Sequence, residues 1–218
     1  MVATASDALN IIDVSNPTRL RLVSATTSAQ YLDGACSLAV AGNYVYVSSP
    51  GGLISAWDVA NPAQIRFVTS TVNGVGGAGL TDVCHMDIQG NYLYAAGLTS
   101  DALNIFDISD PTQLRFKSVL SDSSVLNGIR EIEVYGRYAY LARSEMDSGS
   151  QTGFGIVDIS DPMRPQIAGT YRDGGNNVVR GIAVQGNYAY ATLATGDAVD
   201  IVDISNPGNP TRASRVSH

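Results

Sequence analysis

Lysine and glutamate are almost missing from this chain of 218 residues: one Lys stands against 12 Arg, and three Glu stand against 17 Asp. Charged helix formers are therefore scarce while Asp and the 22 Gly favour turns, so helices are expected to be nearly absent. Histidine is confined to His85 and His218, which removes any Ser/His/Asp constellation. The two cysteines, Cys36 and Cys84, are too few for a disulfide framework or for a Cys-based zinc site. No apolar run reaches the ~18 residues of a transmembrane helix, and the opening MVATASDALN lacks the basic and apolar regions of an export signal. A broad cationic surface is missing too. The net charge of -7 and the isoelectric point near 4.6 argue against nucleic acid and anionic membrane as partners, leaving cations, neutral ligands and other proteins.

What is present is a repeat. An apolar-Asp-turn signature occurs as IIDVSNP, AWDVANP, IFDISDP, IVDISDP and IVDISNP, with its Asp at 13, 58, 107, 158 and 203. Alternating with it are GNYVY, GNYLY, GRYAY and GNYAY, beginning at Gly42, Gly90, Gly136 and Gly186. The period is about 48 residues, a length that marks repeat architectures. Within each unit, short alternating apolar stretches separated by turn residues read as four strands. In the unit over 127–176 these are Ile129 to Tyr135, Tyr138 to Arg143, Phe154 to Ser160 and Gln166 to Tyr171. Gly-Asn or Gly-Arg supplies the positive φ of a tight hairpin, and Asp-x-Ser-x-Pro supplies an Asx-type turn.

A four-stranded antiparallel sheet repeated in this way buries its faces by stacking on its neighbours, and radial stacking gives a propeller. The expected fold is all-β: a β-propeller of about five four-stranded antiparallel blades over 1–218, at 1–32, 33–80, 81–126, 127–176 and 177–218. An open repeat array is the alternative. The first blade is incomplete, because residues 1–6 align with the second strand of the third unit and nothing supplies an inner strand. Three arrangements follow: a three-stranded first blade, a piece of a longer protein, or a partner chain filling the gap. Outer strands such as PTRLRLV alternate Leu20 and Leu22 with Arg21, charge that discourages edge-to-edge aggregation.

LNIIDVS, LNIFDIS, FGIVDIS and VDIVDIS, with the GNYAY-like segments between them, resemble the LVIVD-repeat family over essentially the whole chain. The second unit departs from the pattern, carrying the sole Trp in ISAWDVA and Ala60 in place of Ser. The resemblance implies a propeller of bacterial and archaeal proteins, often secreted or surface-associated. It implies no common activity.

Antiparallel order puts the tight turns at one end of the blades and the variable loops at the other, where a ligand or partner is expected to bind. At the start of the inner strands, the repeat-equivalent position holds Cys36, Cys84, Arg130 and Arg180. Arg130 and Arg180, with His85, Glu131, Asp82 and Asp33, form the candidate site at the channel mouth: two guanidiniums to hold an anion, carboxylates for acid-base work. The alternative is that the arginines simply pair with neighbouring carboxylates. The cysteines lie on different blades and are expected to be free, half-buried thiols. Cys84 next to His85 is not a haem motif, since position 81 is Thr. No metal or other cofactor is expected. Asp147 with Ser148 and Ser150, or Asp173 with Asn176 and Asn177, offers oxygen ligands for calcium, but turn chemistry accounts for both groups. The five repeated Asp are structural, because a catalytic group is needed once and a turn group in every blade.

Three functions compete on this reading. The first is a non-enzymatic scaffold for protein interaction or assembly, extracellular or on the cell surface. The second is a small-ligand binder or a carboxylate-dependent hydrolase or lyase at the channel mouth. The third is a repeat protein that assembles with copies of itself as a homo-oligomer.

Overall fold

The structure is a computed structural model that describes residues 2–4, 7–143, 153–175 and 177–217. Among them are 19 strands in five antiparallel sheets. The first blade has three strands, β1 (Val2–Thr4), β2 (Ala8–Asp13) and β3 (Arg21–Thr27). The second comprises β4 (Ser37–Ala41), β5 (Tyr44–Ser49), β6 (Leu53–Asp58) and β7 (Arg66–Val72). The third comprises β8 (Val83–Gln89), β9 (Tyr92–Gly97), β10 (Ala102–Asp107) and β11 (Arg115–Ser121). The fourth runs through β12 (Ile129–Tyr135), β13 (Tyr138–Arg143), β14 (Gly153–Asp158) and β15 (Gln166–Arg172). The fifth runs through β16 (Val179–Gln185), β17 (Tyr188–Leu193), β18 (Ala198–Asp203) and β19 (Thr211–Ser217). In every sheet, strands adjacent in sequence are adjacent in space. The fold is the expected all-β propeller array with an incomplete first blade.

Local chemistry sets the blade. Gly42, Gly90, Gly136 and Gly186 turn the inner hairpins at φ between 56° and 63°, a conformation that costs glycine little and other residues more. The repeated Asp builds the last turn of each blade. The carboxylates of Asp13, Asp58, Asp107, Asp158 and Asp203 accept the N–H two residues on, at 2.8–2.9 Å, from Ser15, Ala60, Ser109, Ser160 and Ser205. Ala60 works as well as Ser because the donor is backbone. On the adjoining outer strands, Arg21 pairs with Asp13 at 3.2 Å and Lys117 with Asp107 at 3.0 Å, and Arg137 of the inner hairpin pairs with Asp158.

The core lies between blades. Tyr94, Ala96, Leu103 and Ile105 of the third blade pack on Ala139, Leu141, Val157 and Ile159 of the fourth, all buried. Tyr140, Phe154 and Ile156 of the fourth meet Ala189, Val202 and Ile204 of the fifth in the same way. Each Val, Leu, Ile or Phe among them stabilises by roughly 1.5–3 kcal/mol when fully buried, so a junction of this kind contributes much of the energy of a blade. The first tyrosines of the GNYAY-like segments, Tyr44, Tyr92 and Tyr138, pack against these clusters as interblade residues. Inner strands β4, β8, β12 and β16 pack in succession, and among the described residues no comparable packing joins β16 back to the first blade. The ring is not closed.

Candidate functional site

The inner strands start with an irregularity that aims side chains. In β8, Val83 pairs with Gly97 and His85 with Ala96, leaving Cys84 as the extra residue of a bulge. Arg130 holds this place in β12, and Arg180 in β16. Cys36 holds it ahead of β4, where its N–H donates to the Ser48 carbonyl at 3.0 Å. A bulge leaves its extra residue unpaired and bends the strand, so these side chains leave the ordinary pleat. The expectation of free thiols is overturned: Cys36 and Cys84 form a disulfide with their Cα atoms 5.2 Å apart, inside the ~4.4–6.8 Å that such a bond requires. Counting blades made the cysteines look distant. Packing of β4 on β8, with Cys84 displaced by its bulge, brings them together.

The same end of the third junction gathers ionisable groups. His85 Nδ1 lies 3.9 Å from Glu131 Oε1. Asp87 ties the two inner strands, accepting the Val134 N–H at 2.6 Å with one oxygen and the Ile88 N–H at 2.7 Å with the other. Burial lowers the His85 pKa, and the nearby Arg130 guanidinium lowers it further. Burial raises Glu131; Asp87 adds to the rise and the Ile132 N–H opposes it. Glu133 is raised by burial and by the negative charges of Asp87 and Glu131. His85, Arg130 and Glu131 thus lie near one another. Arg180 is exposed at the equivalent bulge of the next blade. Asp82 and Asp33 stand apart. Asp82, at φ 52°, accepts the Thr99 hydroxyl at 2.8 Å and holds its own loop. Asp33 lines a separate cavity of about 170 Å³ with Gln30, Ser49 and Leu53.

Of the calcium candidates, Asp173 is among the described residues. Asp173 is buried and accepts from Gly175 at 3.1 Å and Asn177 at 2.7 Å, with Arg215 3.7 Å from the same carboxylate. Asp147, Ser148, Ser150 and Asn176 lie outside the described residues. Among the described residues, no three His, Cys, Asp or Glu are placed to hold a metal.

Two cavities open at the tight-turn end rather than among the variable loops. One, about 510 Å³, is lined by Tyr92, Tyr94, Arg137, Ile159 and Pro162; the other, about 300 Å³, by Tyr135, Arg137, Tyr138, Tyr140 and Pro207. They are equivalent clefts at successive junctions, so they come with the repeat.

The feature that sets the outer blades apart is uncovered core. Ile108, Ile159 and Ile204 occupy one repeat position and are 6%, 3% and 5% exposed, whereas Val14, their counterpart in the first blade, is 61% exposed. Leu22, opposite Ile12 in the same sheet, is 59% exposed, and Leu20 is exposed beside it. At the other end of the array, Leu103 and Ile105 are fully buried while their counterparts Val199 and Ile201 are only half-buried. Val216, paired with Val199, is 61% exposed. The sequence reading placed Leu20 and Leu22 on an outer edge and missed that they belong to an open face. Comparison of repeat-equivalent positions carries that signal at Val14, where Val59, Ile108, Ile159 and Ile204 stand in the other blades.

The LVIVD repeat model matches residues 1–27, 34–72, 81–121, 129–173 and 177–217. The chain belongs to the LVIVD-repeat family. No curated protein matches its sequence. Among solved structures, this LVIVD-repeat chain is similar to a functionally unknown protein from Desulfotomaculum acetoxidans, with 13% identity and a TM-score of 0.76 over 97% of this chain and 63% of that one. A protein from Lactobacillus plantarum gives 14% identity and a TM-score of 0.73 over 95% and 62%. The periplasmic gluconolactonase PpgL of Pseudomonas aeruginosa gives 12% identity and a TM-score of 0.69 over 92% and 61%. At these identities the likeness is one of fold. The LVIVD-repeat chain spans less than two thirds of each of those structures.

Proposed function

We propose that this LVIVD-repeat protein is a non-catalytic interaction module that makes protein contacts through the open faces of its terminal blades. The observation carrying this reading is the exposure of Val14 and Val216, whose counterparts Ile159 and Tyr171 are buried in the fourth blade. A contiguous uncovered apolar face rarely persists on a monomer in water and marks contact with another surface. The Cys36–Cys84 disulfide supports a site of action in an oxidising compartment, outside the cytosol. A photo-reactive amino acid placed at position 22 or 216 in producing cells tests the proposal. Expected are covalent protein adducts at both positions and none at exposed Asn209 on a turn. Absence of adducts at both faces defeats the reading.

A second reading, a small-ligand site, is favoured by the His85, Arg130 and Glu131 group, whose opposing pKa shifts are the kind found at functional sites. On this reading a small carboxylate or phosphate bound beside Arg130 raises the His85 pKa. A His85 titration unchanged by acetate or phosphate, followed by NMR, removes this reading.

A further inference from the structure

Six residues before each hairpin glycine, at the start of the inner strands, one repeat position holds Cys36, Cys84, Arg130 and Arg180 in successive blades. The disulfide measures the spacing of that position across a junction: the Cα atoms of Cys36 and Cys84 stand 5.2 Å apart. β12 packs on β16 as β4 packs on β8. Arg130 and Arg180 both sit in bulges, between Ile129 and Glu131 and between Val179 and Gly181. The repeat thus sets two guanidiniums side by side where an earlier junction has a covalent bond. Like charges placed so close repel each other. Among the described residues no carboxylate pairs with the exposed Arg180 side chain. Its own strand supplies none, because Gly181 and Ala183 stand where β8 has His85 and Asp87 and β12 has Glu131 and Glu133.

We propose that Arg180 is the second arm of the anion site at Arg130, and that the two guanidiniums together take a phosphate group, free or carried as a phosphate monoester. The proposal rests on the small-ligand reading above and names its ligand class and a further binding residue. A guanidinium presents a planar fork of N–H donors, and one fork already satisfies the two oxygens of a carboxylate. A tetrahedral phosphate has oxygens left over for a second fork, and its double negative charge matches two cations. The junction of the fourth and fifth blades supplies both arms from within the array. The fifth blade adds no carboxylate and little bulk along the inner strand that carries Arg180. The acids that oppose an anion lie on the other side, on β8 and β12. Of these, Asp87 spends its oxygens on the Ile88 and Val134 N–H groups, and Glu131 approaches His85.

Inorganic phosphate titrated into the full chain, followed by calorimetry and by the NMR signal of His85, tests the assignment. The wild type is expected to bind one phosphate per chain, more tightly than acetate. Arg180→Gln is expected to weaken phosphate about tenfold or more, since charge-assisted hydrogen bonds are lost, with acetate binding and the circular dichroism spectrum unchanged. Arg180→Lys keeps the charge without the fork and is expected to recover only part of the affinity. Arg66→Gln, at the tight-turn end of the second blade, is expected to bind as the wild type does. If Arg180→Gln loses its spectrum, Arg180→Lys is read in its place, and full wild-type affinity there overturns the proposal. An equal loss in Arg66→Gln shows a general effect of charge and also overturns it. Wild-type phosphate affinity in Arg180→Gln, with His85 still responding, overturns the second arm and leaves Arg130 as the anion site. Binding that needs Arg180 but does not move His85 removes His85 from the small-ligand reading and leaves the arginine pair standing. A wild type that binds no phosphate overturns the pair.

Discussion

Tyr171 on β15 donates its hydroxyl to Asp200 on β18 across the junction of the fourth and fifth blades, at 2.6 Å. Arg215 of β19 completes the arrangement with a two-pronged contact to the same carboxylate, at 2.6 and 2.8 Å. Burial alone pushes Asp200 up, but the hydrogen bonds from Arg215 and Tyr171 outweigh it and hold the carboxyl below its ordinary value. Asp200→Ala leaves a guanidinium and a phenol without their acceptor and is expected to cost about 3 kcal/mol. Tyr171→Phe removes one charge-assisted bond and is expected to cost about 2 kcal/mol. Urea unfolding of both variants checks the order, and a milder Asp200→Ala than Tyr171→Phe contradicts it.

The disulfide constrains the second and third blades. It closes a sequence separation of 48 residues, for which loop entropy predicts about 4 kcal/mol. Cys36→Ser with Cys84→Ser is expected to lower the urea midpoint, and a reductant is expected to lower that of the wild type to the same level. Reductant sensitivity in the double variant would show that the effect lies elsewhere.

Gly169 marks a close approach of backbone between blades. A Cβ built there collides with the Pro207 carbonyl, whereas Ser24 and Ser118 at the equivalent positions reach across with a hydroxyl. Gly169→Ala therefore pushes the fifth blade from the fourth and is expected to cost about 2 kcal/mol. Thermal melting and the near-ultraviolet signal of Phe154 and Tyr171 follow the change; an unaltered melt refutes it.

Acid should act through the repeated turns. Hydrogen bonds from Ser109, then Lys117, hold Asp107 at about 2, and the hydrogen bond from Arg137 does most to hold Asp158 at about 2. Unfolded Asp titrates near 3.9, so the stability these groups contribute is complete above that value and is lost as pH falls towards about 2. The melting temperature is expected to drop below about pH 4, and Asp158→Asn should flatten part of that drop. A profile as steep in the variant as in the wild type excludes the mechanism.

His85 also titrates unusually, because burial and Arg130 both disfavour its charged form. Its folded pKa lies below the unfolded value of about 6.5, so stability is complete above that value and declines as pH falls and the buried imidazole is forced to take up a proton. Glu131→Gln removes the carboxylate 3.9 Å away and is expected to lower the midpoint further, measured by NMR. A midpoint that rises in the variant contradicts this account.

The repeated Asp, the hairpin glycines and the alternating apolar residues determined the blades from sequence alone, including that the first is incomplete. These are local signals: a turn needs its Asp and the N–H two residues on, and a strand needs its own alternation. His85 and Glu131 stood among the sequence candidates because they hold equivalent repeat positions on successive inner strands, but their 3.9 Å approach came only from the structure. Asp82 and Asp33 do not join them, because loop geometry turned the first to Thr99 and the second to a separate cavity. Tertiary structure alone decided that Cys36 reaches Cys84 and that Val14, Leu22 and Val216 remain uncovered. Distances between blades depend on strand bulges and on how successive sheets stack, and the covering of a face depends on whether another face meets it. Neither is encoded in the run of residues that forms a single blade.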